Sequence, residues 1–207
     1  MPKQQETLKQ LLQKEFGTNK FQKPNYSDFS NSKFHNEIES TYKKLNGQLE
    51  VYPIAFKGFD IQIPNCIVEL DEAQHFNRYR SLTLDSTIYK TNNSFSTSDY
   101  KKFCKEFEDD CLQKGDYGQY WKTDSTEKQF GISSPEGILT GNGSSRWKQR
   151  AFYDFLRDVS QQIGNYKLIR ISIHQKIDDK SVDEILNRNL KNYFPQLIKL
   201  VEQKSKN

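Results

Sequence analysis

Between Gly58 and Phe76 the chain reads Gly-Phe-Asp-Ile-Gln-Ile-Pro-Asn-Cys-Ile-Val-Glu-Leu-Asp-Glu-Ala-Gln-His-Phe. Apolar and polar residues alternate with the period of a β-strand, and Pro64-Asn65 interrupts them as a tight connection does. Register then follows by arithmetic: Ile63 opposes Cys66, Ile61 opposes Val68, and Asp60 opposes Glu69. Opposed residues share a face, with Cβ atoms about 4.5–5.5 Å apart, and Asp71, two residues beyond Glu69, points the same way. Three carboxylates thus converge, while Phe59, Ile61, Val68 and Leu70 pack behind them. Like charges opposed across a sheet are destabilising. A hard divalent cation with oxygen ligands compensates for them. So does a nearby Arg or Lys, or one carboxyl kept protonated, and a strand end splayed into water avoids most of the cost.

The elements that must position these groups are legible in outline. Leu8, Leu11 and Leu12 suggest a short helix over residues 4–15. Phe34, Ile38, Tyr42 and Leu45 recur at helical spacing, with Gly47 as the C-cap. From Gln48 to Asp71 the period is two, which predicts three strands: one through Leu49, Val51 and Ile54, one through Phe59–Ile63, and one over Cys66–Asp71. Residues 98–113 read as one helix with Cys104 and Cys111 on its core side, and residues 114–145 as a long glycine-studded loop. A strong helix follows, with Trp147, Ala151, Phe155, Leu156, Val159 and Ile163 on its apolar face. Then come a buried strand over Tyr166–Ile173, a helix through Val182–Leu190 capped by Asp179 or Ser181, and a basic helical tail. The order is that of a mixed α/β domain.

A helix bearing Glu, then Phe-Asp-x-x-Ile-Pro, then Ile-x-Glu-x-Asp-x-x-Gln-His-Phe, and later Leu-Ile-Arg-Ile, resembles the PD-(D/E)XK nuclease superfamily. The nearest likeness is to the branch around very-short-patch-repair endonucleases. The matches run from about Phe34 to Tyr79 and from Arg146 to Ile173. The resemblance implies a restriction-endonuclease-like core of one helix, a mixed central sheet and flanking helices. On this likeness residues 1–207 form a single domain, and residues 90–145 are an insertion within it. It implies a metal-dependent nuclease that hydrolyses phosphodiester bonds, most naturally in DNA, using Mg²⁺ or Mn²⁺. Asp60 and Glu69 would hold the metal, and Glu37 would be an accessory ligand through water. Asp71 falls where the superfamily usually has its lysine, so it would bind a second ion or take the proton of the attacking water. Gln74 would position that water or a phosphate oxygen. The same departure supports a different reading: an inactive relative that binds nucleic acid or a partner protein.

Basic residues fall into two groups suited to a nucleic-acid backbone. Arg78 and Arg80 follow the hairpin motif directly, and Arg146, Lys148 and Arg150 open the Trp147 helix. Lys148 is the candidate for the lysine missing from the strand. A solvated basic helix face is the plainer interpretation of that second group. Tyr117, Tyr120 and Trp121 would stack on bases or pin the insertion to the core. His75 has a weak claim to proton transfer, and His35 and His174 weaker ones still.

Composition bounds these readings. The chain has 207 residues, 34% of them hydrophobic, and a net charge of +4, which permits a polyanion partner without demanding one. Three cysteines without a CxxC pair argue against a disulfide framework and a zinc finger. A reduced, cytoplasmic protein without a membrane span is expected, and pairing with a second copy or a partner protein stays open. The Gly-Asn-Gly-Ser-Ser segment at 141–145 lacks the Lys-Ser/Thr ending of a P-loop, which argues against an NTPase.

Overall fold

The computed structural model describes residues 3–90, 95–114, 120–164 and 166–206. Three helices lead the chain: α1 (Lys3–Phe16), α2 (Tyr26–Ser30) and α3 (His35–Lys44). The left-handed residue after α3 is Asn46, with φ 66°. Gly47 is needed for a different reason: a Cβ there would lie 2.5 Å from the Tyr42 ring. The strand expected at 49–54 does not form. Leu49 and Val51 are exposed while Tyr52 and Phe56 are buried, so this stretch hangs on aromatic anchors instead of a ladder.

The hairpin forms in the expected register. β1 (Ile61–Ile63) runs antiparallel to β2 (Cys66–Asp71), with Ile61 opposite Val68 and Ile63 opposite Cys66. Asn65 adopts φ 66°, a conformation Asn tolerates better than most residues, and Pro64 before it fixes its own φ. After β2 the chain makes α4 (Arg78–Thr83), capped by the Asn77 side chain. The expected helix over 98–113 is two, α5 (Thr97–Glu106) and α6 (Glu108–Lys114), and each carries one of the buried cysteines, Cys104 and Cys111. The expected loop over 114–145 contains α7 (Asp124–Phe130), which opens on a Thr123–Thr126 capping box.

The long helix α8 (Ser145–Ile163) crosses the molecule and delivers the chain to β3 (Lys167–Ser172), which pairs in parallel with β2. The sheet order is therefore β1-β2-β3. A small hairpin of β4 (Lys176–Ile177) and β5 (Lys180–Ser181), then α9 (Val182–Asn187) with Ser181 as its cap, then α10 (Phe194–Lys206), complete the described chain. This is a mixed α/β fold. Phe152, Phe155, Leu156 and Val159 of α8 are fully buried with Ile67, Val68, Leu168 and Ile169 of the sheet. No helix among the described residues is long and apolar enough to cross a membrane.

Candidate active site

The open end of the β1–β2 hairpin faces a cleft of about 460 Å³. Asp60 and Glu69 lie side by side on its floor. The Asp60 N–H donates to Glu69 Oε1 (3.1 Å), and the Leu70 N–H donates to Asp60 Oδ2 (3.2 Å). Burial pushes the Asp60 carboxyl up to about 6, against the pull of Arg157 and the Leu70 amide. Burial and then the Asp60 charge push Glu69 up to about 8, against Arg157 and Arg170. The pair is thus one that a cation can stabilise in its ionised form, and its donors are the oxygens a hard divalent ion prefers.

The opposite wall is one stripe of α8. Arg146, Gln149, Arg150, Tyr153, Asp154 and Arg157 recur at helical spacing and all line the cleft. Arg157 is the member nearest the carboxylates: Nε lies 3.4 Å from Glu69 Oε2 and Nη1 lies 3.3 Å from Asp154 Oδ1, with the guanidinium over the Phe56 ring. Lys57 adds a further cation to the three arginines of the lining. His75 lines the cleft too, and its Nδ1 meets Asp154 Oδ2 at 2.7 Å, which leaves Nε2 as the ring nitrogen that can exchange a proton. Burial alone would raise Asp154, but His75, Arg170 and Arg80 hold its carboxyl well below the usual range.

Asp71 does not join Asp60 and Glu69. Its Oδ1 takes Arg170 Nη1 at 2.6 Å and its Oδ2 accepts from the Tyr100 hydroxyl at 2.9 Å, in the buried interior behind the cleft. Asp71, His75 and Asp154 do form a group whose ligand atoms lie within 4.8 Å of one another. The Arg170 guanidinium reaches both of its carboxylates, 2.6 Å from Asp71 Oδ1 and 3.9 Å from Asp154 Oδ1. Arg170 also donates through Nε to Asp158 (2.5 Å), and Asp158 in turn accepts from Arg80 Nη2 (2.7 Å) and the Tyr89 hydroxyl (2.6 Å).

Several residues expected at the site are elsewhere. Arg80 is 1% exposed and belongs to this buried network, so it cannot meet a nucleic-acid backbone; α4 turns it inward because Asp158 supplies its counter-charge. Glu37 accepts from the Ser86 hydroxyl (2.6 Å) and the Thr87 N–H (3.0 Å), tying α3 to the 83–90 turn, and does not line the cleft. Gln74 reaches the α8 wall through its backbone carbonyl, which accepts from Arg150 Nη1 at 3.3 Å. Lys148 is buried on a different side of α8, donating to Asn142 Oδ1 over the Tyr79 ring, and burial lowers it to about 8. Arg78 is exposed but paired bidentately with Glu108. Trp121 pins the insertion: it is buried against Trp147, and its indole N–H donates to the Ser134 carbonyl (2.8 Å). Tyr120 is exposed, and Tyr117 lies outside the described residues. His174 stacks on Phe107 at 3.7 Å.

Reading along the sequence misses Asp154, Arg157, Asp158 and Arg170. The available signal was the polar stripe 146, 149, 150, 153, 154 and 157 on a helix whose apolar face was already evident.

A family model described as a family of unknown function (DUF7255) matches residues 40–192, about three-quarters of the chain. The chain belongs to this family. No curated protein and no solved structure matches it. The DUF7255 segment contains the hairpin, α8 and β3, and with them Asp60, Glu69, His75, Asp154 and Arg157; Glu37 and Gln5 precede it.

Proposed function

We propose that this DUF7255 protein is a metal-dependent nuclease. The observation that carries the reading is the juxtaposition of Asp60 and Glu69, hydrogen-bonded to each other's strand at the floor of an open cleft whose other wall is rich in arginine. The PD-(D/E)XK likeness of the same hairpin supports it, as does the parallel return to β3 through α8. Asp60 and Glu69 would hold Mg²⁺ or Mn²⁺. Such an ion, when bound, supplies a water of lowered pKa and a counter-charge for the phosphoryl oxygens.

The chain's own residues supply the rest. Arg157 presents positive charge beside the carboxylates, where a scissile phosphate gains negative charge in the transition state, and Lys57 adds charge to the same cleft. Arg157 stands in place of the strand lysine, and Lys148 does not. His75, oriented through Nδ1 by Asp154, holds or releases a proton at Nε2. Asp71, with Arg170 and Tyr100, fixes the strand end behind the site and contributes no ligand.

An inactive binding module is the second reading. It is favoured by the ion pair that Glu69 already makes with Arg157. A cleavage assay separates the two, using supercoiled plasmid, single-stranded DNA and RNA with Mg²⁺, Mn²⁺ or EDTA. Metal-dependent cleavage that disappears in Asp60→Ala supports the nuclease. Cleavage that survives Asp60→Ala rejects this site, and silence on all substrates without metal binding favours the module.

A further inference from the structure

Arg146 and Arg150 differ from the other cleft arginine in one respect. Arg157 is paired with carboxylates, and so are the arginines Arg78, Arg80 and Arg170 elsewhere in the fold. Among the described residues, no carboxylate oxygen lies within 4 Å of Arg146 or Arg150. Their partners are neutral: Arg146 donates to Gln149 Oε1, and Arg150 to the Gln74 carbonyl. Beyond them the wall stays uncharged, with Gln149 donating to Gln129 Oε1 (2.7 Å) and Gln129 to the Ser125 hydroxyl (3.2 Å). Asp154 and Glu72 favour the charge of Arg150 only from beyond ion-pair distance, and burial works against it. A phosphate group at hydrogen-bond distance compensates guanidinium groups so placed through charge-assisted hydrogen bonds.

Position along α8 gives this subsite a length. Arg150 lies seven residues before Arg157, about 10 Å along the helix axis. That distance is enough for the two ends of the stripe to meet different phosphates of one strand. Between them, on the same stripe, Tyr153 presents a half-buried ring to the cleft. A basic groove with an interleaved aromatic ring is how proteins hold unpaired bases. The cleft is of small-ligand size at about 460 Å³, walled by residues of the hairpin, α8, α1 and α7. A strand enters such a space, whereas a duplex, with its phosphates outside a thick cylinder, does not.

We infer that the cleft binds a single-stranded segment of nucleic acid, with one phosphate between Arg146 and Arg150, a base on Tyr153, and a second phosphate beside Asp60 and Glu69. This deepens the nuclease reading and rests on it only for the chemistry at the two carboxylates.

Binding is measured by fluorescence anisotropy on the full chain in EDTA, with labelled oligothymidylate, oligouridylate and a blunt hairpin duplex. A single strand, DNA or RNA, is expected to bind at least about tenfold tighter than the duplex. Arg146→Gln and Arg150→Gln each weaken it about tenfold and lower the salt slope by about one. Tyr153→Leu weakens it similarly and leaves the slope unchanged. Thermal melts accompany each variant, and the less constrained Arg146→Gln keeps the test decisive where Arg150→Gln does not fold. Equal binding of duplex and single strand overturns the inference, as do folded arginine variants that bind like the parent. The same proteins are then given Mn²⁺. Binding without cleavage removes the nuclease reading and leaves this one standing, while cleavage without preferential single-strand binding does the reverse.

Discussion

Arg170 pairs in register with Glu69 on the parallel ladder, yet its guanidinium closes on Asp71, 2.6 Å away and one strand pleat further on. That choice divides the three hairpin carboxylates. Asp71 is paired from within the protein, and Asp60 and Glu69 are left facing the cleft, with Arg157 ion-paired to Glu69.

The division predicts opposite phenotypes for neighbouring carboxylates. Asp71→Asn is expected to retain Mn²⁺ binding by calorimetry and to lose stability, by about 3–5 kcal/mol in urea unfolding, because it leaves Arg170 charged and buried with one partner fewer. Asp60→Asn is expected to lose Mn²⁺ binding with little loss of stability. Equal loss of metal binding in both would return Asp71 to the ligand set.

In the metal-free protein Asp60 and Glu69 should contribute less stability as pH rises. Glu69 and Asp60 have ordinary values of 4.5 and 3.8 and folded values near 8 and 6. Between those limits the folded state holds more protons than the unfolded one. The contribution of these two carboxyls therefore falls from about pH 4 to pH 8 and then levels. Glu69→Gln should flatten the upper part of this slope and raise stability at pH 8 by on the order of 1–3 kcal/mol. Thermal melts across pH 5–8.5 measure both, and added Mn²⁺ should restore the parent's stability at pH 8 with release of protons to the buffer.

Arg157 is expected to be sensitive to shape as well as charge. Arg157→Gln should lower kcat on the order of a hundredfold. Arg157→Lys should recover only part, because a lysine ammonium cannot span Glu69 and Asp154 as the planar fork does. Single-turnover rates at saturating oligonucleotide test this; a change in KM alone would assign Arg157 to binding.

Lys148→Met provides the contrast. Because burial holds the folded Lys148 near 8, below its ordinary 10.5, the unfolded chain binds more protons between those values, and this group makes stability rise with pH across that interval. Lys148→Met should remove the rise and leave cleavage within about twofold, measured by melts at pH 7–10 and by the plasmid assay. A dead Lys148→Met enzyme would restore it as the missing lysine.

The hairpin was legible because its information is local: alternation and a Pro-Asn turn fix the register of Asp60 and Glu69 within a dozen residues. The strand expected at 49–54 failed because burial goes to Tyr52 and Phe56 in place of the alternating Leu49 and Val51, with Tyr52 against Phe152 at a centroid distance of 6.1 Å. Arg80 looked like a surface cation because its counter-charge, Asp158, is 78 positions away. Arg157 and Asp154 were missed for the same reason. A polar stripe on a long helix reads as a solvated face until the helix is seen to pack against something.

The route from β2 to β3 sets when the cleft can exist at all. β2 ends at Asp71, β3 begins at Lys167, and the arginine wall arrives only with α8 just before it. During synthesis the opposed carboxylates emerge first, with no partner for their charge, and the hairpin gains its parallel neighbour only after some hundred further residues. Long-range pairing of this kind is paid for late and all together. Floor and wall therefore meet only after α8 has followed, and a chain still being made carries the opposed carboxylates without the arginine wall.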